Sequence, residues 1–244
     1  MNDRGGGVVV VIAAMPRELR PIVRALQLRA GSVGGVPAWL GGGVVAVAVG
    51  VGPARAGAGS AKVLGALLAT RVLVTGVAGA VDPSLGVGAV ILPAHVVDVR
   101  TGARFAPSTS ARRKGVLASV EGVFASPGNP PGALGGSCPL PEGTVAVDME
   151  TAAVAAVAER MGLPWDVVRA VSDTAGTLTP QLAGILRPDG RADMRAAARL
   201  VLGDPRAARR LARLGRGAAR ATRAASDVVL RQLEELGLPD PGKG

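Results

Sequence analysis

The sequence has no tyrosine, only two phenylalanines and two tryptophans. A core without aromatics must be aliphatic, built from Val, Leu, Ile and Ala. There is one cysteine, Cys138, and one histidine. A single cysteine excludes an internal disulfide framework and fits a reducing cytoplasm. With one histidine beside it, a zinc cluster and a Ser-His-Asp triad are poor readings, and no metal is expected. Lysine is scarce, with only Lys62, Lys114 and Lys243. No apolar run is long enough to span a bilayer; residues 41–52 are closed by Pro53 and Arg55. The apolar run 8–13 lacks the cationic segment of a secretory signal and leads straight into "PRELR".

What is present is a chain of 244 residues with 48% apolar content, enough to bury a real core in one α/β domain or two small ones. The net charge of +10 is uneven. Between Arg187 and Arg223, eleven arginines face Asp189, Asp193 and Asp204, a local +8 that leaves +2 for the rest. A solvated helical face is the plain reading; a surface for anionic lipid or nucleic acid is the other. The absence of interleaved aromatics argues against a single-strand nucleic-acid groove.

Along the chain, β-like and helical patterns alternate. Residues 8–13 read as a buried strand, followed by a helix from Pro16 to about Leu26. Strands are expected at 36–40 and 44–52, a helix from Pro53, and a strand at 71–76 ending in a Gly-rich turn, 76–79. Residues 87–99 read as one long strand kinked at Pro93. Residues 101–143 are weakly patterned and dense in Pro, Gly and Ser, a loop of the length that often binds something. A short strand at 144–147, a helix at 149–161 and a buried strand at 164–173 follow, then helices near 193–201 and 205–236. This order predicts one domain over residues 1–236, with an Arg-rich helical end at 193–236 and a frayed tail at 237–244. Its sheet is mostly parallel or mixed, with helices on both faces.

In such sheets ligands sit beyond the carboxyl ends of the strands. Glu18 follows the first strand, Asp148 and Glu150 follow the short one, and Ser172 and Asp173 end the last. Gly76 and Gly79 mark a fourth strand end where another group can approach the backbone closely. Four such ends favour one shared pocket. In "VDME", Asp148 reads equally as a helix cap. Glu150, expected in the first helical turn, is kept ionised by the helix dipole and suits a vicinal diol, the mark of a ribose. Asp173 ends an apolar strand, where a carboxyl can hold a proton at neutral pH and act as a general acid. "GVGPARAG", 50–57, fits either a tight strand-to-helix turn or an anion site at a helix start.

Five segments in this order resemble the nucleoside phosphorylase-I superfamily, and within it the methylthioadenosine/S-adenosylhomocysteine nucleosidase-like proteins. They are "AMPREL" (14–19), "GVGPARA" (50–56), "TGVAGAVDPSLGVGAVILP" (75–93), "AVDMETAAVAAVAERMGLP" (146–164) and "VRAVSDTA" (168–175). The resemblance implies a central mixed sheet, partly barrel-like, flanked by helices, and cleavage of a nucleoside's N-glycosidic bond by water or by phosphate. It implies Glu18 as the carboxylate that positions or activates the nucleophile, and Asp173 as the acid that protonates the purine, oriented by Ser172. Glu150 would accept the ribose diol, with Met149 under the sugar, Gly76 and Val77 at the binding edge and Phe124 stacked on the base.

Two departures stand out. Val77 replaces the serine common in the adenine nucleosidases, and "VDME" replaces a more usual Glu-Met-Glu. Both "VDME" and the tail "LRPDGRADMRAAARLVLGDPRAARRLARLGRGAARA" resemble the hopanoid-associated phosphorylases, whose implied substrate is adenosylhopane. The resemblance therefore implies a nucleoside substrate, no cofactor except phosphate as a conceivable co-substrate, no nucleic acid and a cytoplasmic homodimer. A basic tail resting on the anionic inner face of the membrane fits the same implication. The alternatives are a methylthioadenosine/S-adenosylhomocysteine nucleosidase, a futalosine hydrolase and a nucleoside-binding protein without catalysis.

Overall fold

β1 (Val8–Ala13) is a run of β-branched residues buried on both faces, and it occupies the middle of the sheet. The computed structural model describes residues 7–109, 113–121, 139–174 and 205–238. Phe124, the helix expected near 193–201 and most of the Pro/Gly-rich loop lie outside the described residues.

α1 (Pro16–Ala25) follows β1. A hairpin-like trio comes next: β2 (Arg29–Val33), β3 (Val36–Gly41) and β4 (Val44–Ala48). α2 (Pro53–Gly65) leads to the long β5 (Ala69–Ala80). The short strands β6 (Val90–Ile91), β7 (His95–Asp98), β8 (Arg104–Phe105) and β9 (Val116–Ser119) succeed it. β10 (Thr144–Asp148), α3 (Thr151–Arg160), β11 (Trp165–Asp173) and the long α4 (Pro205–Glu235) complete the described chain. The sheet runs β2-β3-β4-β1-β5-β10-β9-β7-β8, with β11 branching from β5 and carrying β6. It is mixed: β1 lies parallel to β4 and β5, β11 parallel to β5, and β10 antiparallel to β5.

Alternation along the central strands divides the core. Val10, Ile12, Val45, Val47, Val72 and Val74 face one side, where Val63 and Leu64 of α2 and Val154 and Val157 of α3 cover them. Val9, Val11, Ala46 and Leu73 face the other, under Leu19 and Ile22 of α1 and Ala221, Ala225, Val229 and Leu233 of α4. The result is the expected α/β domain with helices on both faces.

Three local expectations change. Gly76–Gly79 is no turn; β5 runs straight through it because β11 pairs with it along its length. Residues 87–99 form two strands, since β6 pairs with β11 and β7 with β9, and the break spans Leu92–Ala94 around Pro93. α3 starts at Thr151, so Glu150 is its N-cap residue and lies outside the first turn.

Candidate active site

β1 pairs with β5 as far as Val74, and β10 joins the same strand only from Gly79. Between those points, side chains meet the β5 backbone. The Val77 N–H donates to Glu18 Oε1 at 3.1 Å, and Arg169 Nη1 donates to the Thr75 carbonyl at 3.2 Å. Glu18 sits one turn into α1, where its Oε2 also accepts the Met15 N–H at 2.8 Å. That second bond is half of a capping box, and it fixes the carboxylate's direction.

Arg169 reaches this point from β11, where it stands in register with Gly76. A Cβ on Gly76 would lie 2.8 Å from Glu18 Oε1 and closer still to Arg169 Nη1, and the residue's φ is 140°. Only glycine combines that backbone with that crowding. The guanidinium is buried, with a side chain 1% exposed. Its Nη2 lies 2.5 Å from Asp148 Oδ2 and 3.8 Å from Glu150 Oε2, and Nε and Nη2 donate to Thr151 Oγ1 at 3.2 and 2.9 Å.

Asp148 is held by Ser119 Oγ at 2.6 Å, by the Thr151 N–H at 3.1 Å and by the Thr151 hydroxyl. It therefore caps α3 and pairs with Arg169 at once. Glu150 Oε1 accepts the Gly52 N–H at 2.8 Å, at the start of α2. Of the two readings of "GVGPARAG", the structure shows the strand-to-helix turn, and the Glu150 carboxyl accepts the backbone N–H at this helix start.

One guanidinium thus faces three carboxylates. Burial, reinforced by the Asp148 charge and opposed by Arg169 and the Gly52 N–H, pushes the Glu150 pKa up to about 7. This corrects the expectation that the helix dipole keeps it ionised: removal from water outweighs the dipole. Burial also raises the Glu18 pKa, against Arg169 and the two backbone donors. Around Arg169, burial opposes the charge, and the neighbouring carboxylates more than offset it, raising its pKa.

Asp173 stands at the end of β11, in register with Gly79, which pairs with Val147 of β10 on its other edge. Asp173 Oδ2 would touch a Cβ on Gly79 at 3.4 Å. Ser172 Oγ donates to Asp173 Oδ1 at 2.5 Å and lies 3.4 Å from the Ala78 carbonyl. Burial raises the Asp173 pKa, with the Ser172 bond working the other way. Met149 is partly buried against Ala118, Val120 and Val147.

The structure gathers Glu18, Gly76, Val77 and Glu150 around Arg169. It places Ser172 and Asp173 about 10 Å further along β5, three extended residues from Gly76. Arg169, Ser119 and Thr151 had no role in the sequence reading. Arg169 did leave a signal: it is the one cation in the buried run "WDVVRAVSD", and a buried charge needs partners. Ser119 and Thr151 left none. Among the described residues, no group of three His, Cys, Asp or Glu side chains is arranged to hold a metal ion.

The family model of the phosphorylase superfamily matches residues 8–131 and 110–202, and the chain belongs to that superfamily. Among curated proteins no sequence matches significantly. The solved structures it resembles include a variant of the Helicobacter pylori enzyme MTAN, with 5′-methylthioadenosine in the active site. The TM-score is 0.67 at 16% identity, over 94% of this chain and 99% of that one. Another is the 5′-methylthioadenosine/S-adenosylhomocysteine nucleosidase of Neisseria meningitidis in complex with methylthio-immucillin-A, with TM-score 0.64 at 21% identity, over 92% and 97%. A third is the futalosine hydrolase of Helicobacter pylori, with TM-score 0.66 at 16% identity, over 94% and 98%.

Proposed function

We propose that the protein cleaves the N-glycosidic bond of an adenine nucleoside modified at its 5′ carbon, and that adenosylhopane is its substrate. The observation that supports the reaction most directly is the set of three carboxyl groups with raised pKa, Glu18, Glu150 and Asp173, delivered to one stretch of β5 by three separate elements. Departure of the base leaves positive charge on the sugar and negative charge on the base. Burial raises the Asp173 pKa, which favours its proton-bearing form, so this carboxyl can give a proton to the base, with Ser172 fixing its direction. Glu18, raised toward the operating pH, can take a proton from the nucleophile. Glu150 is the acceptor for the ribose hydroxyls, with Met149 under the sugar.

Water is the nucleophile in this reading. An anionic co-substrate would want the Val77 N–H and the charge of Arg169, and the Glu18 carboxylate already occupies both. The choice of adenosylhopane rests on "VDME" and the Arg-rich tail. Methylthioadenosine and futalosine are the competitors, because the structural neighbours include an enzyme holding 5′-methylthioadenosine and a futalosine hydrolase. A cytoplasmic homodimer belongs to the same reading.

The test is adenine release from adenosylhopane and methylthioadenosine, and base release from futalosine, each with and without phosphate. Fastest turnover of adenosylhopane, indifferent to phosphate, is the expected result. Phosphate dependence would reverse the assignment of the nucleophile, and turnover of none of the three would leave a nucleoside-binding protein. Asp173→Asn should fold normally and lose activity by about 10²–10⁴-fold, the usual contribution of a general acid.

A further inference from the structure

α1 and α4 lie side by side on one face of the sheet: Leu19 and Ile22 of α1 share a buried cluster with Ala221, Ala225, Val229 and Leu233 of α4. Their outward faces therefore look the same way, and both are arginine. On α4, Arg209, Arg213, Arg216, Arg220 and Arg223 recur at steps of three and four, which on a helix makes one straight stripe. It is about 21 Å long at 1.5 Å per residue. All five are exposed. On α1 the exposed cations are Arg17, Arg20 and Arg24, again at steps of three and four, while the only acid of that helix, Glu18, is turned inward. Among the described residues, none of these eight arginines forms an ion pair. The sole acid on the outer line of α4 before its last turn is Asp227.

We propose that this two-helix layer is a docking surface for an anionic membrane, held by headgroup contacts alone. The chemistry of the face selects that partner. The apolar side of α4 is used up on β11 and β5, so the helix has nothing to insert between acyl chains, and attachment must be electrostatic and reversible. Neither helix carries an aromatic residue on which a base could stack, which disfavours single-stranded nucleic acid. Both helices lie along the sheet, so neither offers a free end to a duplex groove. Two lines of exposed arginines on neighbouring helices of one layer suit a surface of phosphates. Lipid on this layer would also lie close to the candidate site: α1 carries Glu18, and Gly217 of α4 packs so tightly on Ser172 that a Cβ would come 2.6 Å from its carbonyl oxygen. The proposal concerns the surface and does not depend on the reaction catalysed.

Three proteins separate the outcomes: the wild type, the triple variant Arg209→Gln/Arg213→Gln/Arg216→Gln, and a control, Arg29→Gln/Arg104→Gln/Arg160→Gln, which removes equal charge from exposed sites on β2, β8 and α3. Sedimentation with phosphatidylcholine vesicles, with and without phosphatidylserine, reads binding. The wild type should bind only the anionic vesicles and release in about 1 M salt, where screening reaches ~3 Å. At about fivefold per arginine, the stripe variant should bind on the order of 100-fold more weakly. The control should stay near wild type, and all three should release adenine equally from a soluble nucleoside. No preference for anionic vesicles would overturn the proposal, as would equal losses in the two variants. Salt-sensitive binding to duplex DNA or RNA, with vesicles left unbound, would overturn it in favour of nucleic acid.

Discussion

Strand β11 carries two buried ions three residues apart, and their surroundings are opposite in balance. Asp166 is one acid among cations. Its Oδ1 lies 2.5 Å from Arg113 Nη2 and accepts the Thr109 N–H at 3.0 Å, while its Oδ2 meets Arg71 Nη1 and accepts the Thr109 hydroxyl at 3.1 Å. Arg169 is one cation among Asp148, Glu150 and Glu18. Surplus cations cost little here, because the Arg71 side chain is 25% exposed and keeps part of its water. Surplus carboxylates buried with one guanidinium cannot all ionise at little cost, and Glu150 and Glu18 respond by holding their protons to higher pH. The Asp166 cluster has the makings of a staple, tying Thr109 and Arg113 to the strand beside the Ser108–Trp165 bonds. The Arg169 cluster holds two carboxyls, Glu150 and Glu18, whose pKa values burial raises, the kind of perturbation that marks a functional site.

The comparison breaks most severely at Arg169. Arg169→Met removes the buried guanidinium that faces three carboxylates. It should destabilise the fold by about 3–5 kcal/mol, the range for breaking a buried pair. The surviving folded protein should lose adenine release by about 10²-fold or more, as when a preorganised charge is deleted. Urea unfolding and a steady-state assay check the two parts. Wild-type turnover in the folded variant would make Arg169 a structural ion like Asp166.

Asp166→Asn tests the other half. It leaves Arg113, with a side chain 3% exposed, without a counter-charge, and should cost about 3 kcal/mol, the lower end of the same range because Arg71 can turn to water. Turnover per folded molecule should not change. A drop beyond tenfold would show that the staple and the site act as one unit.

Next in size is the pH dependence of stability. Folded Glu150 holds its proton to about 7, against an ordinary 4.5. Between those values the folded state binds more protons than the unfolded chain, so stability falls as pH rises through the window and levels off above it. The loss assigned to Glu150 is on the order of 3 kcal/mol. Glu18 and Asp173, also raised, add to the slope with the same sign. Glu150→Gln removes one titration and should flatten the curve of unfolding midpoint against pH. An unaltered slope in Glu150→Gln would refute the burial account of that carboxyl.

Much of this was legible beforehand because it is local. The double-sided burial of β1 shows in an unbroken β-branched run, and α1 in Pro16 at its first position. The apolar approach to Asp173 likewise announces a carboxyl in a dry place. What could not be read is what depends on pairing between distant segments. That β5 continues through Gly76–Gly79 is decided by β11, nearly a hundred residues later. That Glu150 would stand just before α3 and meet the Gly52 N–H depends on where two helices start relative to each other. Arg169 was visible as the one cation in a largely apolar strand, but its partners Asp148, Thr151 and Thr75 come together only in three dimensions. The staple was hidden for the same reason: Arg71, Thr109 and Arg113 stand in weakly patterned or strand-edge positions with nothing to single them out.

The smallest effect sharpens the comparison most finely. Thr109→Val keeps the shape and the backbone N–H of residue 109, so Asp166 loses one of its four contacts and retains both arginines. A hydrogen bond to a carboxylate that still has other donors should cost about 1 kcal/mol. A staple with cations to spare absorbs that loss, so the variant should unfold at slightly lower urea with unchanged turnover. Its counterpart in the other cluster is Thr151→Val, the same chemical change at a residue whose hydroxyl sits between Arg169 and Asp148. With no surplus of cations there, the lost hydroxyl frees the guanidinium to shift toward Glu150 or Glu18, and turnover should fall along with stability. If both valine variants merely lower the unfolding midpoint by similar amounts, the charge balance around β11 has no functional meaning.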